Sequence, residues 1–250
     1  MPAAKKSRLD QRVVAMGLAS SRQRAQALIM GGKVLVDRQR VDKPGVRVAP
    51  DAEIALKGED LPFVSRGGLK LAGALDATGF SVAGLTCMDV GASTGGFTDC
   101  LLQRGADHVY AVDVGYGQLA WKLRQDPRVT VIERTNIRHL TTDRVPARLD
   151  LATIDTSFIS LKIVVPATLP FLKPGGAMLA LIKPQFEVGR GQVGKGGVVR
   201  DPRQHEMVVE GLTDFFIEQG LQCGAVIPSP IKGPKGNREF IILLRLPSTE

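Results

Sequence analysis

Four charged residues stand at positions where a sheet of alternating strands and helices would gather them. Lys70 lies in Ser65-Arg66-Gly67-Gly68-Leu69-Lys70, ahead of the first strand pattern; Asp155 closes the pattern Leu149 to Ile154; Lys183 closes Met178 to Ile182; Glu239 opens the final pattern, Phe240 to Leu246. If that last strand runs antiparallel, its beginning lies at the edge where the others end, and Asp155, Lys183 and Glu239 converge there. Singly, each reads as a solvated strand end. Two acids and a lysine at one edge, above a ligand loop, read as a site that handles protons.

The ligand loop is Asp89-Val90-Gly91-Ala92-Ser93-Thr94-Gly95-Gly96-Phe97, which follows a strand pattern and opens a helix. Glycines let backbone approach a ligand closely, and a helix N-terminus offers free N–H groups. Asp113, 22 positions after Gly91 and at the end of the next strand pattern, is placed to accept hydrogen bonds from ribose hydroxyls. The dinucleotide fingerprint G-x-G-x-x-G is tailored to a pyrophosphate. Here the glycines run G-x-x-x-G-G, with Ser93 in place of the second fingerprint glycine. Asp89 would repel a pyrophosphate and suits the ammonium of an amino-acid moiety, so S-adenosylmethionine fits better than NAD. Asn136, just past the third strand pattern, is a candidate for the adenine edge or a turn residue.

These positions need a scaffold. Beyond Glu59-Asp60-Leu61-Pro62 strand patterns fall near 86–90, 108–113, 129–133, 149–155, 177–183, 221–227 and 239–246, and helices near 67–78, 96–104, 116–125, 162–171 and 203–219. Seven strands with intervening helices predict an α/β, doubly wound, Rossmann-like sheet with its ligand site at the carboxyl ends of the strands. Trp121 is expected to pack. His108, His139 and His205 are scattered without metal spacing, and no metal is expected.

The first residues differ in character. The formal charge is +8. Residues 1–48 hold 11 Lys/Arg and three acids, which accounts for all of it; the remainder sums to zero. An excess so concentrated predicts a polyanion-binding appendage. Leu9, Val13 and Met16 recur at helical spacing before Gly17. Ser20 or Ser21 is placed to cap a second helix carrying Ala25, Leu28 and Ile29. Lys33 to Val36 reads as a short strand, Asp37 to Arg40 as a turn, and 46–48 and 54–56 as further strands. The result is a small α+β unit over 1–60, a linker over 61–65 and a larger unit over 66–250, with Arg8, Arg22 and Arg24 at helix starts.

Composition excludes other classes. Hydrophobic residues at 44% and charged residues at 23% rule out a disordered or fibrous chain. No apolar run approaches the roughly 18–20 residues of a membrane span. Lys5 and Lys6 lack the apolar stretch of a signal peptide. Cys87, Cys100 and Cys223 are odd in number and widely spaced, against a disulfide framework. The expected location is the cytoplasm.

Two resemblances sharpen this reading. Arg8-Leu9-Asp10, Ser21-Arg22-Gln23-Arg24-Ala25-Gln26-Ala27-Leu28-Ile29 and Gly32-Lys33-Val34-Leu35-Val36 resemble the alpha-L RNA-binding module of a ribosomal small-subunit protein. That resemblance implies that Arg8 and Arg22, with Arg24 beside them and Lys43 as a further candidate, meet RNA phosphates. Lys70, Asp155, Lys183 and Glu239 match in order the Lys-Asp-Lys-Glu tetrad of FtsJ-like ribose 2′-O-methyltransferases, and D-x-G-x-x-x-G-G matches their loop. Both units together, with R-G-G-L-K, D-T-S-F-I-S, I-K-P-Q-F-E and G-N-R-E-F, are similar to the TlyA (hemolysin A) family.

The resemblance implies methylation of a cytidine ribose in ribosomal RNA, within ribosomal subunits. Lys183 would be the general base, Lys70 and Glu239 positioning groups, and Asp155 the residue that steers Lys183. Asp89, Gly91, Ser93, Gly95, Gly96, Phe97, Asp113, Asn136 and Asp155 would hold the cofactor. The linker Leu61-Pro62-Phe63-Val64-Ser65 lacks the Arg and Trp of some members. The short tail Pro247-Ser248-Thr249-Glu250 favours the large subunit as target. A hydride-transferring NAD enzyme, a non-catalytic RNA binder and a membrane-lysing protein are the rival classes.

Overall fold

In the computed structural model the chain forms two compact units, Met1–Leu61 and Pro62–Glu250. Residues 6–57, 61–189, 191–194, 196–233 and 235–248 are described; Glu59 and Asp60, and Thr249 and Glu250 of the tail, lie outside them. Among the described residues no helix is long and apolar enough to cross a membrane.

The first unit packs helices Leu9–Ala15 and Arg22–Met30 over short strands, with Leu9, Val13, Ala25, Ile29, Val34 and Ile54 in its core. Ser21 Oγ accepts from Arg24 N at 3.1 Å and so caps the second helix. Val34–Val36 pairs antiparallel with Gln39–Arg40 and with Ile54–Leu56. The turn expected over 37–40 tightens to Asp37-Arg38, both at positive φ, as a two-residue hairpin requires. Two further corrections concern the ends of this unit. Met16 is the C-terminal cap of the first helix, so its side chain leaves the apolar stripe and is exposed. Ser7–Arg8 forms an unforeseen bridge to Arg47–Val48.

The second unit is built on seven strands: β1 Thr86–Val90, β2 His108–Val112, β3 Val129–Ile132, β4 Leu149–Ile154, β5 Leu172–Ile182, β6 Gln222–Pro228 and β7 Phe240–Arg245. They lie in the order β6-β7-β5-β4-β1-β2-β3. β5, β4, β1, β2 and β3 are mutually parallel, and β7 runs antiparallel between β5 and β6. Strand order reverses between β1 and β4, and the crevice above that switch point is where such sheets bind ligands.

Buried residues alternate between the two faces, as a doubly covered sheet demands. On β5, Met178, Ala180 and Ile182 point to one apolar cluster and Leu179 and Leu181 to the other. The first cluster is closed by α4 Leu161–Thr168 and α6 Pro202–Glu218; the second by α1 Gly67–Thr78, α2 Gly96–Gln103 and the single turn α3 Trp121–Arg124. A short α5, Pro184–Glu187, follows β5.

The helix expected over 116–125 shrinks to that single turn. Gly115 N and Gly117 N are spent on Asp113 Oδ1 and Glu133 Oε1, which holds 113–118 as a loop. Trp121, expected to pack, is exposed.

Candidate functional site

β1 delivers Asp89 and then turns at Gly91, whose φ of 86° an L side chain rarely adopts. A Cβ at Gly91 would meet the Asp155 carbonyl oxygen at 2.7 Å, so the loop passes directly against the end of β4. Gly95, at φ 96°, is the N-terminal cap of α2, where a Cβ would strike Leu123 at 2.3 Å. The loop is therefore shaped by two positions that only glycine fills. The loop borders a cavity of about 750 Å³, within the usual range for small-molecule sites. Asp89, Gly91, Ser93, Gly96 and Phe97 line this cavity.

Asp89 is wholly buried. Its Oδ2 accepts from Thr98 N at 2.9 Å and Thr98 Oγ1 at 2.6 Å, tying the end of β1 to the first turn of α2. Oδ1 receives only a longer contact, 3.3 Å from Thr153 Oγ1. Burial pushes the Asp89 carboxyl up to about 7; the Thr98 hydrogen bonds oppose this and the Asp155 charge adds to it. A raised carboxyl holds its proton in the folded chain where the unfolded chain has lost it. Stability from this group therefore falls as pH rises from about 4 to about 7. Chemical unfolding at a series of pH values should show that decline in the native chain and a flatter profile in Asp89→Asn; equal slopes would place the proton elsewhere.

The four charged residues all reach the same cavity. They form two ion pairs. Lys183 Nζ lies 2.5 Å from Asp155 Oδ1, and donates to Thr156 O at 2.9 Å and to Ser157 Oγ at 3.1 Å. Lys70 Nζ, from α1, lies 2.6 Å from Glu239 Oε2. The Glu239 side chain is only 1% exposed, and its Oε1 has no hydrogen-bond partner among the described residues. β7 pairs Phe240 with Ile182, which sets Glu239 beside Lys183 across the two strands.

Asp113 and Asn136 do not line the cavity. Asp113 holds the loop instead: its Oδ2 accepts from Ser93 N at 2.7 Å and Oδ1 from Gly115 N at 2.6 Å. Asn136 caps a turn, Ile137–His139, and its Oδ1 accepts from Arg138 N and Nε. In the first unit Arg8 and Arg22 both bond to Asp10, Arg24 is half-buried, and Lys43 is exposed.

Phe158 and Gln185 are among the cavity residues that sequence alone did not single out. Phe158 is 89% exposed at φ 64°, a conformation bulky side chains avoid, with its ring 4.9 Å from Phe186. Gln185 presents a buried Oε1 without a partner. The only hint was their place in D-T-S-F-I-S and I-K-P-Q-F-E. Among the described residues no cluster of His, Cys, Asp and Glu is arranged to hold a metal.

Comparison with known proteins agrees in both units. A model of FtsJ-like methyltransferases matches residues 63–246, and one of the S4 domain matches residues 7–54. The 16S/23S rRNA (cytidine-2′-O)-methyltransferase TlyA of Mycobacterium tuberculosis is 48% identical over 97% of this chain and 91% of its own length. Hemolysin A of Brachyspira hyodysenteriae is 40% identical over 94% of this chain and 98% of its own. The solved structure of a candidate hemolysin from Streptococcus thermophilus is 44% identical, with a TM-score of 0.75, over 99% of this chain and 92% of that one.

Proposed function

The chain belongs to the FtsJ-like methyltransferases and, within them, to the TlyA family, and from that premise we propose that it methylates the 2′-oxygen of a cytidine ribose in ribosomal RNA. The observation that carries this reading is the pairing of Lys183 with Asp155 and of Lys70 with Glu239 in one cavity, next to the glycine loop at the switch point. Residues 1–60 hold the RNA, 66–250 carry the chemistry, and 61–65 join them. A ribosomal substrate, met within assembled subunits, implies a reaction in the cytoplasm.

The methyltransferase fold calls for an S-adenosylmethionine-type cofactor, and the residues present fit one. Gly91 and Gly95 let the loop pack closely against Asp155 and Leu123, Asp89 Oδ1 offers a loosely held acceptor to an ammonium group, and Gly96 and Phe97 at the start of α2 line the same cavity. Asp113 lies directly behind the cavity residue Ser93 and keeps a lone pair on each oxygen, so it is the ribose acceptor; the Asn136 Oδ1 is taken up by its turn, and its Nδ2 remains for the adenine edge. When bound, this cofactor supplies a methyl group activated by a sulfonium charge. The protein must position the ribose hydroxyl and remove its proton. Lys183 Nζ, once its ammonium has released a proton to solvent and exposed a lone pair, receives that proton. Asp155 fixes the amine, and Lys70 and Glu239 fix the cavity wall beside it.

Phe158 extends the reading to the target base. Held outward beside Phe186, it offers an aromatic face on which a base turned out of its stack can rest; such stacking is worth about 1–3 kcal/mol. Phe158→Ala should raise the KM for RNA about tenfold, and Phe158→Tyr should restore it. An alanine variant with native kinetics would remove Phe158 from the site. The function itself is tested by treating purified ribosomal subunits with the protein and S-adenosylmethionine and mapping the methyl groups. A 2′-O-methylcytidine supports the proposal, and a methyl group on a base overturns it.

A further inference from the structure

Asp10 is an acid within the basic first unit, and it is fully buried. Five hydrogen bonds converge on its carboxylate. Oδ1 accepts from Arg8 Nε at 3.0 Å and from Gln11 N at 3.0 Å. Oδ2 accepts from Arg8 Nη2 at 3.0 Å, Arg22 Nε at 2.9 Å and Gln26 Nε2 at 3.0 Å. Arg8 stands at the start of one helix and Arg22 at the start of the next, so one carboxylate gathers two guanidiniums that lie 14 residues apart in sequence. Their side chains remain 40% and 53% exposed. Arg8 binds edge-on through Nε and Nη2, which leaves Nη1 off the carboxylate, near Gly45. Arg22 binds through Nε and keeps Nη1 and Nη2. These pairings hold the Asp10 carboxyl well below the usual carboxylate range, with the Arg8 hydrogen bonds the largest cause.

We propose that Asp10 is the positioning residue of the RNA-binding surface: it fixes the Arg8 and Arg22 guanidiniums as one fork, with their outer N–H groups aimed at backbone phosphates. The inference rests on the reading that this unit binds ribosomal RNA. It has an unusual sign. Simple electrostatics makes an acid beside a polyanion unfavourable, so its removal should tighten binding. An arginine held at its inner edge by a carboxylate instead arrives preorganised, and side-chain freedom otherwise lost on binding is already gone. Loss of Asp10 then weakens binding although the protein becomes more positive.

The experiment measures affinity of the full chain for isolated large ribosomal subunits across a range of salt concentrations. Asp10→Asn should weaken binding about tenfold, on the scale of a lost charge-assisted hydrogen bond, and the effect should appear in KM for the subunits rather than in kcat. The log–log salt slope should become shallower by roughly 0.7–0.9 for each phosphate that the loosened arginines no longer neutralise. Unchanged or tighter binding overturns the proposal. Arg22→Lys gives a second test that leaves Asp10 and the fold in place. Lysine keeps the charge but cannot span Asp10 and a phosphate together, so it should bind as poorly as Arg22→Ala; near-native binding by Arg22→Lys overturns the fork. A native chain that fails to bind subunits overturns the RNA reading, and this inference with it; a native chain that binds well beside an unaffected Asp10→Asn overturns the inference alone.

Discussion

Lys183→Met is expected to slow methyl transfer by about 10²–10⁴, the usual contribution of a general base, while cofactor affinity stays near native. The side chains match in length, and the Asp155 side chain left behind is 20% exposed, so water can solvate it and the fold should survive. Lys183 donates to three acceptors, Asp155, Thr156 O and Ser157 Oγ. A neutral amine has two N–H groups and one lone pair, so a hydroxyl that passes its proton to Nζ displaces one of them. Ser157 Oγ is the longest contact at 3.1 Å, and a hydroxyl can turn from accepting to donating; it is the partner that yields. Lys183→Arg should fail as completely as Lys183→Met, because a guanidinium does not give up its proton. Single-turnover rates separate the cases. An active arginine variant would make Lys183 an electrostatic clamp, and an active methionine variant would remove it from the chemistry.

Much of this site was legible because a parallel sheet places its strand ends at one edge. Asp89 lies one residue before the carboxyl end of β1, Asp155 and Lys183 directly follow the ends of β4 and β5, and Glu239 joins them because β7 is antiparallel. What spacing does not encode is partnership. That Lys70 takes Glu239 while Lys183 takes Asp155 depends on α1 crossing in front of the sheet and on the β5–β7 register. Phe158 was hidden for a different reason. In Asp155-Thr156-Ser157-Phe158-Ile159-Ser160 no periodicity says which way the aromatic faces, and its backbone, turned to φ 64°, leaves the ring exposed. Trp121 failed likewise: Gly115 and Gly117 gave their N–H groups to carboxylates instead of to a helix, so the turn bearing the indole starts late and faces solvent.

The second large effect is on stability. Lys70→Met should destabilise the catalytic unit by about 3–5 kcal/mol, the cost of removing one partner from a buried ion pair. The pair is the more enclosed of the two, with side chains 9% and 1% exposed, and Glu239 Oε1 already lacks a hydrogen bond. Gly233 closes over it so tightly that a Cβ there would sit 2.3 Å from Oε1, which leaves water little room to replace the ammonium. Without Lys70 the carboxylate must take up a proton or force that loop away. The double variant Lys70→Met, Glu239→Gln removes the stranded charge and should regain most of the loss, whereas two independent contributions would add. Denaturant unfolding of the full chain, followed through the transition of the second unit, measures both. Activity should not return with stability, since the double variant no longer holds the wall beside Lys183. A Lys70→Met chain as stable as the native one would mean that Glu239 is solvated, and a stable double variant with native turnover would mean that this pair only holds the fold.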